Sequence, residues 1–191
     1  MLTDAQWKRL ENLGWNGGRE IREKPQDYRG RVLPNIAVLC GEDMVDSLLK
    51  EKVQLNMEDV NGQTPLMVSV AFNADNSNTM TKKFLDAGAD VNYQNRKGVT
   101  ALMCAHETPI IFELLLNSGA DWSLKNDAGQ TILEQLQKNV STYHDPKFKG
   151  VREAEVNLAY LQNFIIQATH QSLSKTLPLS VDDNKAAAPK L

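Results

Sequence analysis

Few side chains in this chain combine the type and the spacing that enzymatic or metal chemistry needs. The three histidines, His106, His144 and His170, stand far apart, and none lies at a metal-ligand spacing such as HExxH. The sequence has no GxSxG nucleophile elbow, no Walker A loop and no GxGxxG loop, and the Asn-Gly-Gly turn at 16–18 stands alone. The sequence therefore predicts no catalytic residue, no metal ligand and no cofactor.

Composition indicates an ordinary globular chain. Of its 191 residues, 41% are hydrophobic and 24% are charged, which suits one domain with short tails. The net charge of −3 and the lack of a dense Lys/Arg run argue against a nucleic-acid partner. No apolar stretch is long enough for a membrane span, and the first residues do not resemble a signal peptide. We expect a cytoplasmic protein, with a periplasmic or secreted one as the alternative if a signal peptide preceded this numbering.

An internal repeat organises most of the chain, and an Asp/Asn-x-x-Gly tetrad marks each copy. The tetrads begin at Asp27, Asp59, Asn95 and Asn126, with offsets of 32, 36 and 31 residues. An Asp or Asn before Gly predicts a tight turn, in which the side chain bonds its own backbone and Gly takes a positive φ. A short apolar stretch and then a second apolar-periodic segment follow each of these turns. Each copy therefore predicts a turn and two helices.

Capping residues mark the ends of these predicted helices. Thr64 can cap the first helix of its copy, and Thr100 and Thr131 hold the same place in theirs. Gly88 and Gly119 follow Leu-rich runs, where a left-handed residue ends the second helix. A pair of helices cannot bury both faces alone, so the copies should stack into a solenoid.

The repeat resembles the ankyrin family. Four segments match the two hallmark patterns of that family: 62–66 (GQTPL), 98–102 (GVTAL), 88–92 (GADVN) and 119–121 (GAD). The resemblance covers residues 27–138 and is expected to continue to 170. It implies an all-α ankyrin-repeat solenoid of stacked helix-turn-helix units with projecting turn fingers. Met67 and Met103 depart from the family pattern, because the family usually has His there, and we expect both to fill the core.

The repeat boundaries define the predicted domains. The four repeats span 27–58, 59–94, 95–125 and 126–170, with extra loop residues at 73–79 in the second repeat. Residues 1–26 are predicted as an N-terminal capping helix and linker, and 171–191 as a mobile tail. A long capping helix should end the last repeat, with one apolar stripe: Val151, Ala154, Leu158, Leu161 and Ile165.

Two expectations follow for the core. Leu66, Leu85, Leu102 and Leu116 should be buried between repeats. Cys40 and Cys104 should lie on first helices two repeats apart, about 20 Å from each other, because neighbouring helices pack at roughly 8–10 Å. That distance is too long for a disulfide, so both thiols should be free.

The resemblance also implies a binding surface. In ankyrin stacks the turn fingers and the first helices line a concave groove, where this architecture binds its partners. The candidate partner-binding residues carried over to this sequence, finger by finger, are Tyr28, Arg29 and Arg31; Val60, Asn61 and Gln63; Tyr93, Gln94, Arg96, Lys97 and Val99; and Lys125, Asp127 and Gln130, with Phe72 between fingers two and three.

Charge and residue type suggest what this groove would bind. Arg and Tyr dominate interface hot spots, and Arg29, Arg31, Arg96 and Lys97 would make the groove locally basic. The groove therefore favours a protein partner with an acidic face. Trp122, at the place that Val91 holds one repeat earlier, is expected to support the core.

These observations predict a non-enzymatic protein–protein interaction module, a monomer when free. Its small size, its own N-terminal cap and the lack of a second functional domain favour a stoichiometric inhibitor, such as a bacterial immunity or antitoxin-like protein. Its partner would then be a toxin or a secreted enzyme. One alternative is an adaptor or effector that recruits a host or cellular protein. Another is a small hydrolase-like or metal-dependent enzyme, which the missing motifs disfavour.

Overall fold

The computed structural model describes residues 3–5, 8, 41–50, 53–59, 61–71, 77–142 and 149–176. The predicted first helix of repeat one, finger one and the end of the tail lie outside these ranges. Asp4, Ala5 and Lys8 are helical, and the described residues from 41 onward form seven helices: α1 (Glu42–Leu49), α2 (Pro65–Ala71), α3 (Ser77–Asp86), α4 (Ala101–Cys104), α5 (Pro109–Asn117), α6 (Ile132–Thr142) and α7 (Lys149–Thr176).

The helices stack in two layers. Helices α2, α4 and α6 are the first helices of repeats two to four, and α2 packs on α4 and α4 on α6. The second helices form the other layer, in which α3 packs on α5 and α5 on α7. Each first helix also packs on its own second helix. The predicted all-α solenoid is confirmed.

The turn at the start of each described repeat has the predicted chemistry. The side-chain oxygens of Asp59, Asn95 and Asn126 each accept hydrogen bonds from the backbone N–H groups two and four residues ahead, at 2.8–3.0 Å. The glycines of these turns and of the helix ends take positive φ values between 68° and 91°. Because the same short motif closes each turn, all three fingers have one shape.

The predicted helix caps are also present. Thr64 and Thr100 each accept a hydrogen bond from the backbone N–H three residues ahead, at 3.3 Å. Thr131 and Glu134 form a reciprocal capping box, in which the Thr131 backbone N–H donates to the Glu134 carboxylate at 2.7 Å. That backbone hydrogen bond lowers the pKa of Glu134.

The core follows the predicted stripe with one error. Leu66, Leu102 and Leu116 are buried, and so are the two methionines at the family's His positions. Leu85 is only half-buried, and Phe84 beside it is completely buried. Helix α3 turns Met80, Thr81 and Phe84 inward, which leaves Leu85 at the edge of the buried face.

Several helix ends differ from the predicted bounds. Helix α3 begins at Ser77, inside the loop that was predicted over 73–79. Helix α7 continues to Thr176, six residues beyond the predicted boundary at 170. Its predicted stripe is confirmed, since Val151, Ala154 and Leu161 are buried and the other two members are half-buried against the core.

Helix α4 has only four residues, and a side chain from α7 completes the turn that follows it. The buried Asn157 donates from its Nδ2 to the carbonyl oxygens of Ala105 at 3.2 Å and His106 at 2.9 Å. Carbonyl groups at the end of so short a helix need such donors, because the chain does not continue as helix. Asn157 therefore ties the last helix to the third repeat.

Cys104 is a free thiol on α4. Burial raises its pKa to about 11, so the thiol is protonated at neutral pH. Cys40 lies outside the described residues, and the separation of the two sulfurs stays a prediction. In the part of the chain that the structure covers, no helix is both long and apolar enough to cross a bilayer.

Candidate functional site

The turn tetrads of fingers two, three and four begin at Asp59, Asn95 and Asn126, and hydrogen bonds join each finger to the next. The Asn95 side chain donates to the Gly62 carbonyl at 2.6 Å, which links fingers two and three. The Asp127 backbone N–H donates to the Lys97 carbonyl at 3.0 Å, which links fingers three and four. These bonds make the fingers one connected row.

Glu58, the residue before finger two, forms hydrogen bonds with Tyr93 and Arg96 of finger three. Its carboxylate accepts hydrogen bonds from the Arg96 backbone N–H at 2.8 Å and the Tyr93 hydroxyl at 3.3 Å. The Arg96 Nε lies 3.8 Å from the same carboxylate. Burial and the nearby Glu58 charge raise the pKa of Tyr93. The two finger-three residues that were expected to face a partner are thus also bonded within the chain.

The same repeat position makes a forward link in the next repeat. Gln94 is the equivalent of Glu58, and its Nε2 donates to the Lys125 carbonyl at 2.8 Å and to the Gly98 carbonyl at 3.0 Å. Both residues precede the tetrad and carry a long polar side chain that reaches the following finger. Glu58 was missed in the sequence, although this shared position could have indicated it.

A groove of about 440 Å³, here called the α4–α6 groove, opens beside fingers three and four. Its apolar lining comes from Val99 and Met103. Its polar lining is His106, Gln130, Gln135, Lys138, Asn139 and Thr142. Two of the eight residues, Val99 and Gln130, were predicted as site residues.

The groove residues that were missed lie mainly on one face of α6. Gln135, Lys138, Asn139 and Thr142 follow the i, i+3, i+4, i+7 spacing of a single helical face, whereas Ile132 and Leu136 point to the core. This polar stripe was the signal in the sequence. It was overlooked because the first helices were expected to line the groove, but the candidate residues were taken from the fingers and, with Phe72, from the segment between two of them.

Comparison with known proteins identifies the repeats. A family model described as ankyrin repeats in three copies matches residues 34–126. Residues 34–126 are ankyrin repeats. Ankyrin repeats bind protein partners through the extended concave surface of the stack, so the chain contains a protein–protein interaction module.

Two relatives show how far the likeness extends. An ankyrin repeat-containing protein of Schizosaccharomyces pombe is 26% identical over 109 residues, which are 56% of this chain and 51% of that protein. The crystal structure of the ankyrin repeat domain of Bcl-3, described as a unique member of the IkappaB protein family, is 31% identical. It has a TM-score of 0.49 and covers 57% of this chain and 48% of its own. The chain thus spans about half the length of each.

The predicted site residues fall into three groups by their exposure in the structure. Asn61, Arg96, Lys97, Lys125 and Asp127 are exposed on the fingers, together with Gln94, whose amide is bonded as described above. Half-buried positions hold Gln63, Tyr93, Val99 and Gln130. The third group lies outside the described residues: Tyr28, Arg29, Arg31, Val60 and Phe72.

Both lysines of the second helix α3 make ion pairs within the chain. On the second helix α3, Lys83 bonds Asp46 at 2.7 Å and lies 3.3 Å from Glu42, while Lys82 pairs with Asp86 at 3.4 Å. The hydrogen bond to Asp46, opposed by burial, raises the pKa of Lys83.

Three lysines of fingers three and four and the groove have no such pairing: Lys97, Lys125 and Lys138 make no ion pair with the residues described. In the described part of this surface, these three lysines are therefore positive charges without an ion pair, two on the fingers and Lys138 on α6. The predicted basic character rests less on Arg96, because Glu58 offsets its charge.

His106 lies on the groove wall in a structural setting. Its Nδ1 is 3.2 Å from the Met103 carbonyl, and its Nε2 is 3.7 Å from the Glu107 carboxylate. Among the described residues no group of three or more His, Cys, Asp or Glu is placed to hold a metal ion.

Proposed function

We propose that this chain binds one protein partner against the concave surface formed by fingers two to four and the α4–α6 groove. The observation that carries the proposal is the contrast between the lysines of this surface and the two lysines of α3. Lys97, Lys125 and Lys138 have no ion-pair partner in the described structure, whereas Lys82 and Lys83 on α3 are neutralised within the chain. Unpaired positive charge on one face attracts and orients a partner with an acidic face.

The finer proposal is a stoichiometric inhibitor, similar to a bacterial immunity or antitoxin-like protein, with a toxin or secreted enzyme as its partner. Support comes from the hydrogen bonds that Glu58 and Gln94 make to the next finger. Binding costs less when the surface is already ordered, and an inhibitor that acts by occupancy alone needs high affinity. A cytoplasmic monomer that keeps Cys104 as a free thiol fits this role.

An adaptor or effector that recruits a host or cellular protein is the second candidate. An adaptor needs a second surface, and three exposed apolar side chains on the second-helix layer favour it. Ile110 on α5 is 69% exposed, and Val156 and Ile166 on α7 are 54% and 52% exposed. An inhibitor should abolish the activity of its partner in a 1:1 complex, whereas an adaptor should leave that activity intact.

Charge reversal tests the concave surface. With the partner purified through its affinity for this protein, Lys97→Glu and Lys125→Glu should each slow association and weaken binding at least tenfold, or about 1.4 kcal/mol. The loss should shrink as the salt concentration rises, because salt screens exposed charges. Arg96 is unsuitable for this test, since its reversal would also disturb the contact with Glu58.

Lys82→Glu is the matched control. Lys82 is exposed on α3, in the opposite layer, and among the described residues it pairs only with Asp86 one turn away. Its reversal should leave both the affinity and the melting temperature nearly unchanged. A larger loss of affinity from Lys82→Glu than from the finger lysines would move the interface to the second-helix layer.

A further inference from the structure

Carboxamide side chains at the repeat junctions use their polar atoms within the chain. Gln94 and Asn95, for example, donate to carbonyl oxygens of neighbouring fingers. In contrast, Gln130, Gln135 and Asn139 line the α4–α6 groove half-buried, and their side chains make no hydrogen bond to the described residues. Each free carboxamide offers two donors and one acceptor. The groove therefore collects unused hydrogen-bonding groups that burial has already partly removed from water.

The other residues that line the groove indicate what kind of ligand could bond these carboxamides. Gln135 and Asn139 are four residues apart on α6 and so lie on one face. Val99 and Met103 add an apolar area beside them, and Lys138 adds an ammonium group without an ion-pair partner in the described structure. The eight lining residues include no carboxylate. The groove thus offers paired donors and acceptors, an apolar contact and one positive charge.

We infer that the α4–α6 groove binds an extended segment of the partner, through the main-chain N–H and C=O groups of that segment. An extended segment leaves these groups unpaired, whereas a helix satisfies them internally, so the extended form offers main-chain partners to the free carboxamides and a helix does not. One apolar side chain of the segment packs on Val99 and Met103, and one Asp or Glu side chain pairs with Lys138. This inference rests on the proposed function, since it takes the concave surface as the interface.

The probe for this inference is a phage-displayed library of random linear 12-residue peptides, selected against the full-length protein. We expect it to yield peptides in which an acidic residue lies close to a large apolar one. For a synthetic copy of the dominant peptide, Gln135→Leu and Asn139→Leu should each raise the Kd at least tenfold. Methylation of one main-chain nitrogen beside the apolar residue of the peptide should do the same. Gln137→Leu, an exposed position on the same helix, should leave the Kd within twofold.

Three results would overturn the inference. They are the failure of the library to yield any binder, a peptide that binds the Gln135→Leu and Asn139→Leu variants as tightly as the unaltered protein, and a bound peptide that circular dichroism shows to be helical. Each variant should also unfold at the same temperature midpoint as the unaltered protein, so that a change in Kd does not reflect a loss of folding. The finger lysines test the proposed function separately. If Lys97→Glu and Lys125→Glu weaken the binding of the purified partner while the groove variants do not, the groove inference alone is wrong.

Discussion

Gly98→Ala is expected to lower the free energy of unfolding by about 2–5 kcal/mol, as left-handed strain and overpacking add. Gly98 has a φ of 68°, and a Cβ built on it would lie 2.9 Å from both the Asn126 Cα and the Asp127 backbone nitrogen. Those are backbone atoms of finger four, which the bond from Asp127 to the Lys97 carbonyl holds in place. Finger four therefore cannot yield without losing its contact with finger three.

Gly129→Ala provides the control for the strain alone. Gly129 has nearly the same φ, 74°, and its added Cβ would meet no described atom within 4 Å. This variant should lose only about 1–2 kcal/mol, the cost of a left-handed L-residue. Urea unfolding followed by circular dichroism measures both values. Equal losses at the two positions would show that the close contact between fingers three and four is not rigid.

Phe84→Ala should lower the free energy of unfolding by about 3–5 kcal/mol, because it empties a large buried site. Phe84 is completely buried on α3 and belongs to the core that repeats two and three share. Leu85→Ala next to it should lose only about 1–2 kcal/mol, since its side chain is half-buried and leaves less of a cavity. Chemical unfolding of the two variants gives the comparison directly.

The prediction is that Phe84→Ala loses more unfolding free energy than Leu85→Ala. The loss from Phe84→Ala is a large share of the 5–15 kcal/mol that is typical of a whole domain, so this variant should unfold at a clearly lower temperature. Should Leu85→Ala prove the more damaging change, the rotation of α3 about its axis in this structure would be wrong.

The sequence predicted the repeats because their chemistry is local. Asp59, Asn95 and Asn126 close their turns with bonds to residues two and four places ahead, so a four-residue motif is enough to reveal them. Burial on α3 could not be predicted in the same way. Phe84 and Leu85 are adjacent and both apolar, and packing against neighbouring repeats decides which one faces the core.

The binding surface was only partly predictable for a related reason. The exposed finger residues, such as Lys97 and Lys125, follow from the position of each turn. The link from Glu58 to Arg96 joins residues 38 positions apart, so it is indicated only when equivalent positions of different repeats are compared. Groove residues such as Gln135 and Asn139 become a site only when α6 stacks on α4. Contacts between repeats, more than features within one repeat, therefore define the candidate site.

Site-specific photo-crosslinking tests the concave surface most directly. A benzoylphenylalanine placed at Gln130 would stand in the α4–α6 groove, and one placed at Ile110 would stand on the exposed side of α5. The two variants, each mixed with the purified partner and irradiated, are compared by the yield of crosslinked complex. We expect a strong crosslink from position 130 and little from position 110. A strong crosslink from position 110, with none from position 130, would show that the concave surface is not the interface.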